Sequence, residues 1–284
     1  MKVLITGGKG QLGVDVTSIF QQKGHEVWSY GKDEMDITSI QQLKQIVGTI
    51  RPDLIVHTAA YTKVDQAEAD RETAFRINAL GTRNVAVMAD QVDAKLIYIS
   101  TDYVFDGRQN HPYDEFSPVN PQTVYGKSKL AGEEFVQQLC KRYFIVRTSW
   151  VYGQAGANFV KTMLQLASKH SELTVVHDQF GCPTYTVDLA AFLTELAETE
   201  LYGVYHASNR DKCSWYEFAT AIFEETGRED VRITPVTTEQ FKRPAPRPAY
   251  SVFDHMAIRL NGFEPLRPWR EALREFMKEW NKKG

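Results

Sequence analysis

Tyr125-Gly126-Lys127-Ser128-Lys129 sets a phenol and an ammonium four residues apart. On a helix these two side chains share one face. An isolated tyrosine titrates near ~10, too high for easy proton exchange at neutral pH. A cation a few ångströms away is expected to lower that by ~1–3 units. A phenol tuned in this way suits proton transfer to a carbonyl oxygen. Ser100-Thr101-Asp102-Tyr103 closes the apolar run Leu96-Ile97-Tyr98-Ile99. Ligands of open parallel sheets bind outside the carboxyl ends of the strands, so the Thr101 hydroxyl is placed to donate to the same carbonyl. Gly7, Gly10 and Gly13, with Gly8 between them, follow an apolar run and open an amphipathic stretch. Glycines spaced this way permit a tight turn and bring backbone N–H groups and a helix N-terminus to a pyrophosphate. A Y-x-x-x-K pair, a strand-end threonine or a glycine triplet is common alone. Together they describe reduction of a carbonyl by a dinucleotide.

The residues after the second apolar run bear on which dinucleotide. NAD-preferring folds place an acid there for the ribose 2′-hydroxyl. Here the run ends Trp28-Ser29-Tyr30-Gly31-Lys32, with no acid at Tyr30 and a cation at Lys32. A 2′-phosphate would be balanced by Lys32, so NADPH is favoured and NADH stays open, since Asp33 and Asp36 are close by. Asp36-Ile37 is placed to meet an adenine, and Asp36 serves equally well as an acid before a helix.

The elements that must position these groups read as an α/β, Rossmann-type doubly wound parallel sheet. Strands are expected over 3–6, 26–30, 54–58, 95–100, 144–147 and 204–207. Helices are expected over 11–22, 38–47, 72–90, 125–140, 159–168, 187–199, 214–226 and 268–280. Runs such as Leu54-Ile55-Val56 are continuously apolar, which suits parallel strands covered on both faces. Strand–helix alternation implies right-handed crossovers. Residues 1–150 are expected to form the dinucleotide-binding domain. Residues 151–284 are expected to form a smaller α/β substrate region, interleaved with the last elements of the sheet.

The 284 residues carry a formal net charge of −3, which gives no basic field for nucleic acid. Cys140, Cys182 and Cys213 are odd in number and share no metal-type spacing, so neither a disulfide framework nor a metal is expected. The apolar run at the N-terminus is too short for a signal peptide or a membrane span. A cytoplasmic protein without an anchor is expected.

Several longer blocks carry a resemblance. They are Ser100-Thr101-Asp102-Tyr103-Val104-Phe105-Asp106-Gly107, Tyr125 through Glu133, Arg147-Thr148-Ser149-Trp150-Val151-Tyr152, Asn158 through Met163, Asp178 through Thr184, and Arg247-Pro248. Through them nearly the whole chain resembles the extended short-chain dehydrogenase/reductase superfamily and, within it, the family of dTDP-4-dehydrorhamnose reductases. The resemblance implies reduction of dTDP-4-dehydro-6-deoxy-L-mannose at C4 by NADPH or NADH. It implies that Gly10, Gln11 and Leu12 contact the cofactor diphosphate, that Asp36 and Ile37 lie by the adenine, and that Ala59, Ala60 and Tyr61 line the nicotinamide side. Tyr125 and Lys129 then contact the nicotinamide ribose, and Thr101, Asp102 and Trp150 lie toward the sugar nucleotide. For the diphosphate of that substrate, Arg247 is the first candidate, through a bidentate fork, and Arg243 the second. Asn78 is placed either to pass protons to Lys129 or to pack its helix. The carboxylate clusters that the family is proposed to use for Mg²⁺ at a dimer contact are not clearly matched, so a monomer and a homodimer both stay open. Asp102 is followed by Tyr103 rather than a second acid, which argues against the superfamily's dehydratases. Another ketosugar reductase, an epimerase and a non-catalytic regulatory subunit are the alternatives.

Overall fold

The computed structural model describes residues 1–282. The first half runs β1 (Lys2–Thr6), α1 (Gln11–Gln22), β2 (Glu26–Tyr30), α2 (Ile40–Ile50), β3 (Leu54–His57), α3 (Val64–Ala69), α4 (Arg71–Phe75), α5 (Thr82–Gln91), β4 (Lys95–Thr101), α6 (Val124–Leu139) and β5 (Tyr143–Thr148). The second half runs β6 (Val151–Tyr152), α7 (Phe159–Ala167), β7 (Glu172–Val176), β8 (Phe180–Gly181), β9 (Thr184–Tyr185), α8 (Thr186–Ala197), β10 (Gly203–His206), β11 (Cys213–Ser214), α9 (Trp215–Thr226), β12 (Arg232–Val236), α10 (Met256–Leu260) and α11 (Trp269–Asn281).

Six strands form one parallel sheet in the order β10-β5-β4-β3-β1-β2. The chain leaves β1 toward β2, then crosses back to place β3 on the other flank of β1. The crevice of a doubly wound sheet opens at this reversal. Continuous apolar strands are buried on both faces, as their composition requires: Val3, Leu4, Ile5, Leu54 and Val56 are all fully enclosed. On one face α1 and α8 pack through Leu12, Val16, Phe20, Leu189 and Leu193. On the other, α2, α5 and α6 pack through Leu43, Val47, Val85, Met88 and Val136. A third core joins α7, α9 and α11 through Met163, Phe218, Trp269 and Phe276.

The second half is not a separate body. β10 extends the main sheet beside β5, and α8 covers α1. Two short parallel pairs, β7 with β12 and β6 with β9, and one antiparallel pair, β8 with β11, complete the smaller region. Local signals explain its helix starts. Ser214 and Glu217 form a reciprocal capping box before α9, and Pro268 stands at the N-cap of α11.

The helix expected over 72–90 is present and runs unbroken over 71–91, with a π-helical segment inserted in it. Asp70 caps α4 by accepting from Thr73 N–H, and a π-helical turn over Arg76–Gly81 precedes α5. The reason is tertiary. The Asn78 side chain reaches out of that turn, and Gly81 lies so close to Ile37 that a Cβ there would sit 2.7 Å from the isoleucine Cδ1. π-turns inside helices often mark functional segments.

Candidate active site

One cleft of about 1420 Å³ runs along the carboxyl ends of the strands and into the smaller region. The glycine loop forms one end. Gly7 has φ +69°, and a Cβ there would lie 2.7 Å from Ala59 N, so the β1 and β3 loops can only meet through glycine. A Cβ on Gly13 would fall 2.3 Å from Gly7 O. Gly13 therefore packs α1 against the loop and does not line the cleft. Gly10 lines it and is the N-cap of α1, with no side chain capping the helix. The N–H groups of that first turn are left to an anion, the arrangement a dinucleotide diphosphate requires. Gln11 contributes backbone alone: its side-chain amide donates to Val151 O at 2.9 Å and accepts from Asn158 Nδ2 at 2.9 Å.

Beside the glycine loop the cleft is lined by Lys32, Asp36 and Ile37, the residues expected near the adenine. Asp36 Oδ1 accepts from Thr38 N–H and Oγ1, while Ser39 caps α2. Asp36 thus closes a turn before the helix. Lys9, inside the glycine loop, also lines the cleft and pairs with Glu34 at 3.0 Å. Sequence reasoning passed over Lys9 because it weighed the glycines around it, yet the lysine's place in the loop was the available signal.

Midway along the cleft lie Ala59, Ala60, Thr101, Asp102, Tyr125 and Lys129. Tyr61 does not line it. Its ring packs with Ala67, Ala74 and Tyr125, and its backbone is held by Asn78, whose Oδ1 accepts from Tyr61 N–H at 2.7 Å. Asn78 Nδ2 donates to Tyr61 O and to Ser128 Oγ, each at 3.0 Å. Of the two roles open for Asn78, packing is the one its side chain makes here: it clamps α6 to the loop after β3.

The electrostatics of the pair also differ from expectation. Burial pushes the Tyr125 phenol up to about 12, with the Thr101 hydroxyl working against it. The cation predicted to lower it is engaged elsewhere. Lys129 Nζ donates to Ile99 O at 2.7 Å and sits 4.1 Å above the Tyr98 ring. Burial pulls Lys129 down to about 7. Thr101 caps the turn after β4, accepting from Tyr103 N–H at 3.3 Å, and donates to Asp102 Oδ1 at 3.0 Å. The other Asp102 oxygen is buried with no hydrogen-bond partner, and burial lifts this carboxyl to about 6.

Beyond Tyr125 the walls become aromatic. Trp150, at φ +47°, stacks on Trp215 with ring centroids 3.5 Å apart and planes at 7°. Gly181 makes room, since a Cβ there would meet the Trp150 ring at 2.5 Å. Phe159 lies 4.5 Å from Trp215. Leu173, Thr174, Val175 and Val176 of β7 line the far end. Trp215 and β7 were not singled out from sequence, and Phe159 entered only within the block Asn158 through Met163 with no role given to it, because what brings them to Trp150 is long-range packing. Arg247 and Arg243 also line the cleft. Both are paired with Asp65 of α3, Arg247 at 2.9 Å and Arg243 at 3.5 Å. Among the described residues no cluster of three or more His, Cys, Asp or Glu is arranged to hold a metal, and no helix is long and apolar enough to cross a membrane.

A doubly wound sheet, a glycine loop at its switch point, and a tyrosine and lysine on α6 above it define an extended short-chain dehydrogenase/reductase fold. The chain belongs to the RmlD substrate binding domain family, whose model matches residues 1–282. It is 48% identical over 278 residues to the spore coat polysaccharide biosynthesis protein SpsK of Bacillus subtilis, covering 98% of this chain and 97% of that one. It is 41% identical to a dTDP-4-dehydrorhamnose reductase of Streptomyces griseus, covering 96% and 91%. Among solved structures, the dTDP-4-dehydrorhamnose reductase of Bacillus anthracis in complex with NADP superposes with a TM-score of 0.96 at 50% identity, covering 98% and 99%. The resemblance drawn from the sequence blocks and the expected fold class are both borne out.

Proposed function

We propose that this chain reduces the C4 ketone of dTDP-4-dehydro-6-deoxy-L-mannose to give dTDP-L-rhamnose, as a cytoplasmic enzyme that prefers NADPH and also accepts NADH. The observation that carries this is the single cleft joining the uncapped N-terminus of α1, the Tyr125–Lys129 face of α6 and the Trp150–Trp215 wall. The names and the bound NADP of the relatives support the same reading. Residues 1–150 bind the dinucleotide through Gly7, Gly10, Gln11, Leu12, Asp36, Ile37, Ala59 and Ala60. Gly13 and Tyr61 support that site from behind. The region after Trp150 binds the nucleotide sugar.

The bound cofactor supplies the hydride. Tyr125 supplies the proton to the carbonyl oxygen as charge builds there. Lys129⁺ favours the phenolate that remains and fixes a ribose hydroxyl. Thr101 turns its hydroxyl from Asp102 to the substrate oxygen, and Asp102 and Trp150 hold the sugar.

The test is oxidation of NADPH and of NADH with dTDP-4-dehydro-6-deoxy-L-mannose, against the GDP analogue. One reduced cofactor consumed per product supports the assignment. Product formed without net consumption makes the chain an epimerase. No turnover, together with one stoichiometric enzyme partner in a pull-down, makes it a regulatory subunit.

Arg247 is assigned to the substrate diphosphate. Its guanidinium donates to Asp65 Oδ2 and to Ala245 O, each at 2.9 Å, and would exchange these partners for the diphosphate. Losing a charge-assisted bond of about 1.5–3 kcal/mol predicts a roughly ten- to hundredfold rise in substrate KM for Arg247→Ala, with kcat little changed. A KM equal to the parent's removes Arg247 from the site. Lys32 is assigned to the 2′-phosphate. Lys32→Ala is expected to raise KM for NADPH and leave that for NADH unchanged, checked by the ratio of the two kcat/KM values. An unchanged ratio transfers the role to another cation, and Lys9 is the next one tested.

A further inference from the structure

The active face of α6 continues one turn past Lys129. Tyr125, Lys129 and Glu133 recur every fourth residue and share that face. Glu133 is 1% exposed and does not line the cleft, so it meets neither ligand. A carboxylate so enclosed is unfavourable unless it is paired. Arg147 of β5 grips it: Nε donates to Oε1 at 3.0 Å and Nη2 to Oε2 at 2.7 Å. Ser100 Oγ, just before Thr101 on β4, donates to Oε1. The far side of Arg147 meets His206 Nε2 at 3.4 Å.

Lys129 is nearly as buried, at 2% exposure, but its contacts are one carbonyl and one aromatic face. A desolvated ammonium with only these partners is poorly held as a cation. We propose that Glu133 is a positioning residue that keeps Lys129 cationic, its carboxylate fixed by Arg147 and Ser100 one helical turn away. The proposal rests on the reading that Lys129⁺ supports Tyr125.

The other groups around Lys129 do not supply that charge. On β3, burial pushes His57 down to about 3, with Lys129 adding to the effect, so the ring is neutral. On β4, burial raises Tyr98 well above the usual tyrosine range, and it offers its ring face and a hydroxyl that donates to Lys129 O. On α6 itself, Tyr125 is likewise neutral. On β5, Arg147 is cationic and turned onto Glu133. His206, on β10, is driven well below the usual histidine range by burial and then by Arg147. Glu133 is the anion of this set, and its field opposes the burial that holds Lys129 to about 7. At that value a modest change decides whether the lysine is charged near neutral pH.

The experiment uses the full chain labelled at lysine Cε, with the Lys129 signal assigned by its loss in Lys129→Met. Its carbon shift is followed against pH in the parent, in Glu133→Gln, in Glu133→Asp, and in the double variant Glu133→Gln/Arg147→Met. The double variant removes the pair together, so no lone charge is buried and folding is retained even where Glu133→Gln alone fails. The expected result is a Lys129 midpoint lowered by about one unit or more in Glu133→Gln, lowered by less in the double variant, where the opposing charge of Arg147 leaves as well, and largely kept in Glu133→Asp. The alkaline limb of kcat/KM moves down with it. An unmoved midpoint in the double variant overturns the proposal and leaves Glu133 as a tie between α6 and β5. The midpoint needs no substrate, so it stands apart from the proposed reaction. A lowered midpoint with an unmoved kcat/KM limb supports the coupling and counts against the part given to Lys129 in catalysis.

Discussion

Tyr125→Phe is expected to lower kcat by roughly a hundred- to ten-thousandfold, the usual weight of a positioned proton donor. NADPH affinity should stay close to the parent's. The substitution removes one oxygen and keeps the ring that packs with Tyr61, Ala67 and Ala74 and meets the edge of Tyr103 at 5.5 Å. The fold is therefore unchanged, and the loss reads the proton. Burial that pushes the phenol up to about 12 keeps it protonated before the reaction, and Lys129⁺ must then offset its weak acidity as the proton is transferred. A group protonated across the whole neutral range is a standing donor, not a base waiting for a proton. Its own titration then lies outside the working range, and any alkaline limb nearer neutrality belongs to Lys129. Steady-state kcat and a fluorescence titration with NADPH check both parts. Turnover near the parent's would remove Tyr125 from the reaction.

What the sequence made legible was local. The glycine loop, β1, α1 and β2 depend on neighbours within a turn or a strand, and their bounds were read almost to the residue. The Tyr125–Lys129 spacing needs only α6 to be helical, which Thr123 ensures by accepting from Gly126 N–H at 2.9 Å. What escaped depends on distant partners. The π-helical turn at Arg76–Gly81 exists because Asn78 must reach Tyr61 and Ser128. Trp215 becomes a wall of the cleft only when Trp150 stacks on it. The expected sign of the Tyr125 shift failed for the same reason. Spacing places the lysine on the same face, but only the packed structure shows its ammonium turned to Ile99 O and the Tyr98 ring, with burial outweighing the charge.

Lys129→Met separates what the site does from what the fold needs. Methionine matches the lysine's length and removes the buried ammonium. Turnover should fall by roughly a hundredfold or more, because the phenolate left on Tyr125 loses its counter-charge. KM for NADPH should rise as well, because the same Nζ is assigned to the ribose. Stability should move differently. In the unfolded chain Lys129 keeps its proton up to the ordinary value of 10.5, whereas in the folded chain burial releases it near 7. Below about pH 7 both states hold the proton and this group adds no pH dependence. Between those two values the unfolded state binds the extra proton, so the parent gains stability as pH rises. The methionine variant has no such group. Its melting temperature relative to the parent's is therefore highest at about pH 6 and falls by about pH 9, the opposite trend from a lysine that stabilises the fold by its charge. Thermal melts of both proteins across that range test this. Parallel curves would show that the ammonium is not held against its own desolvation, and would weaken the case that the site stores charge for the reaction rather than for the fold.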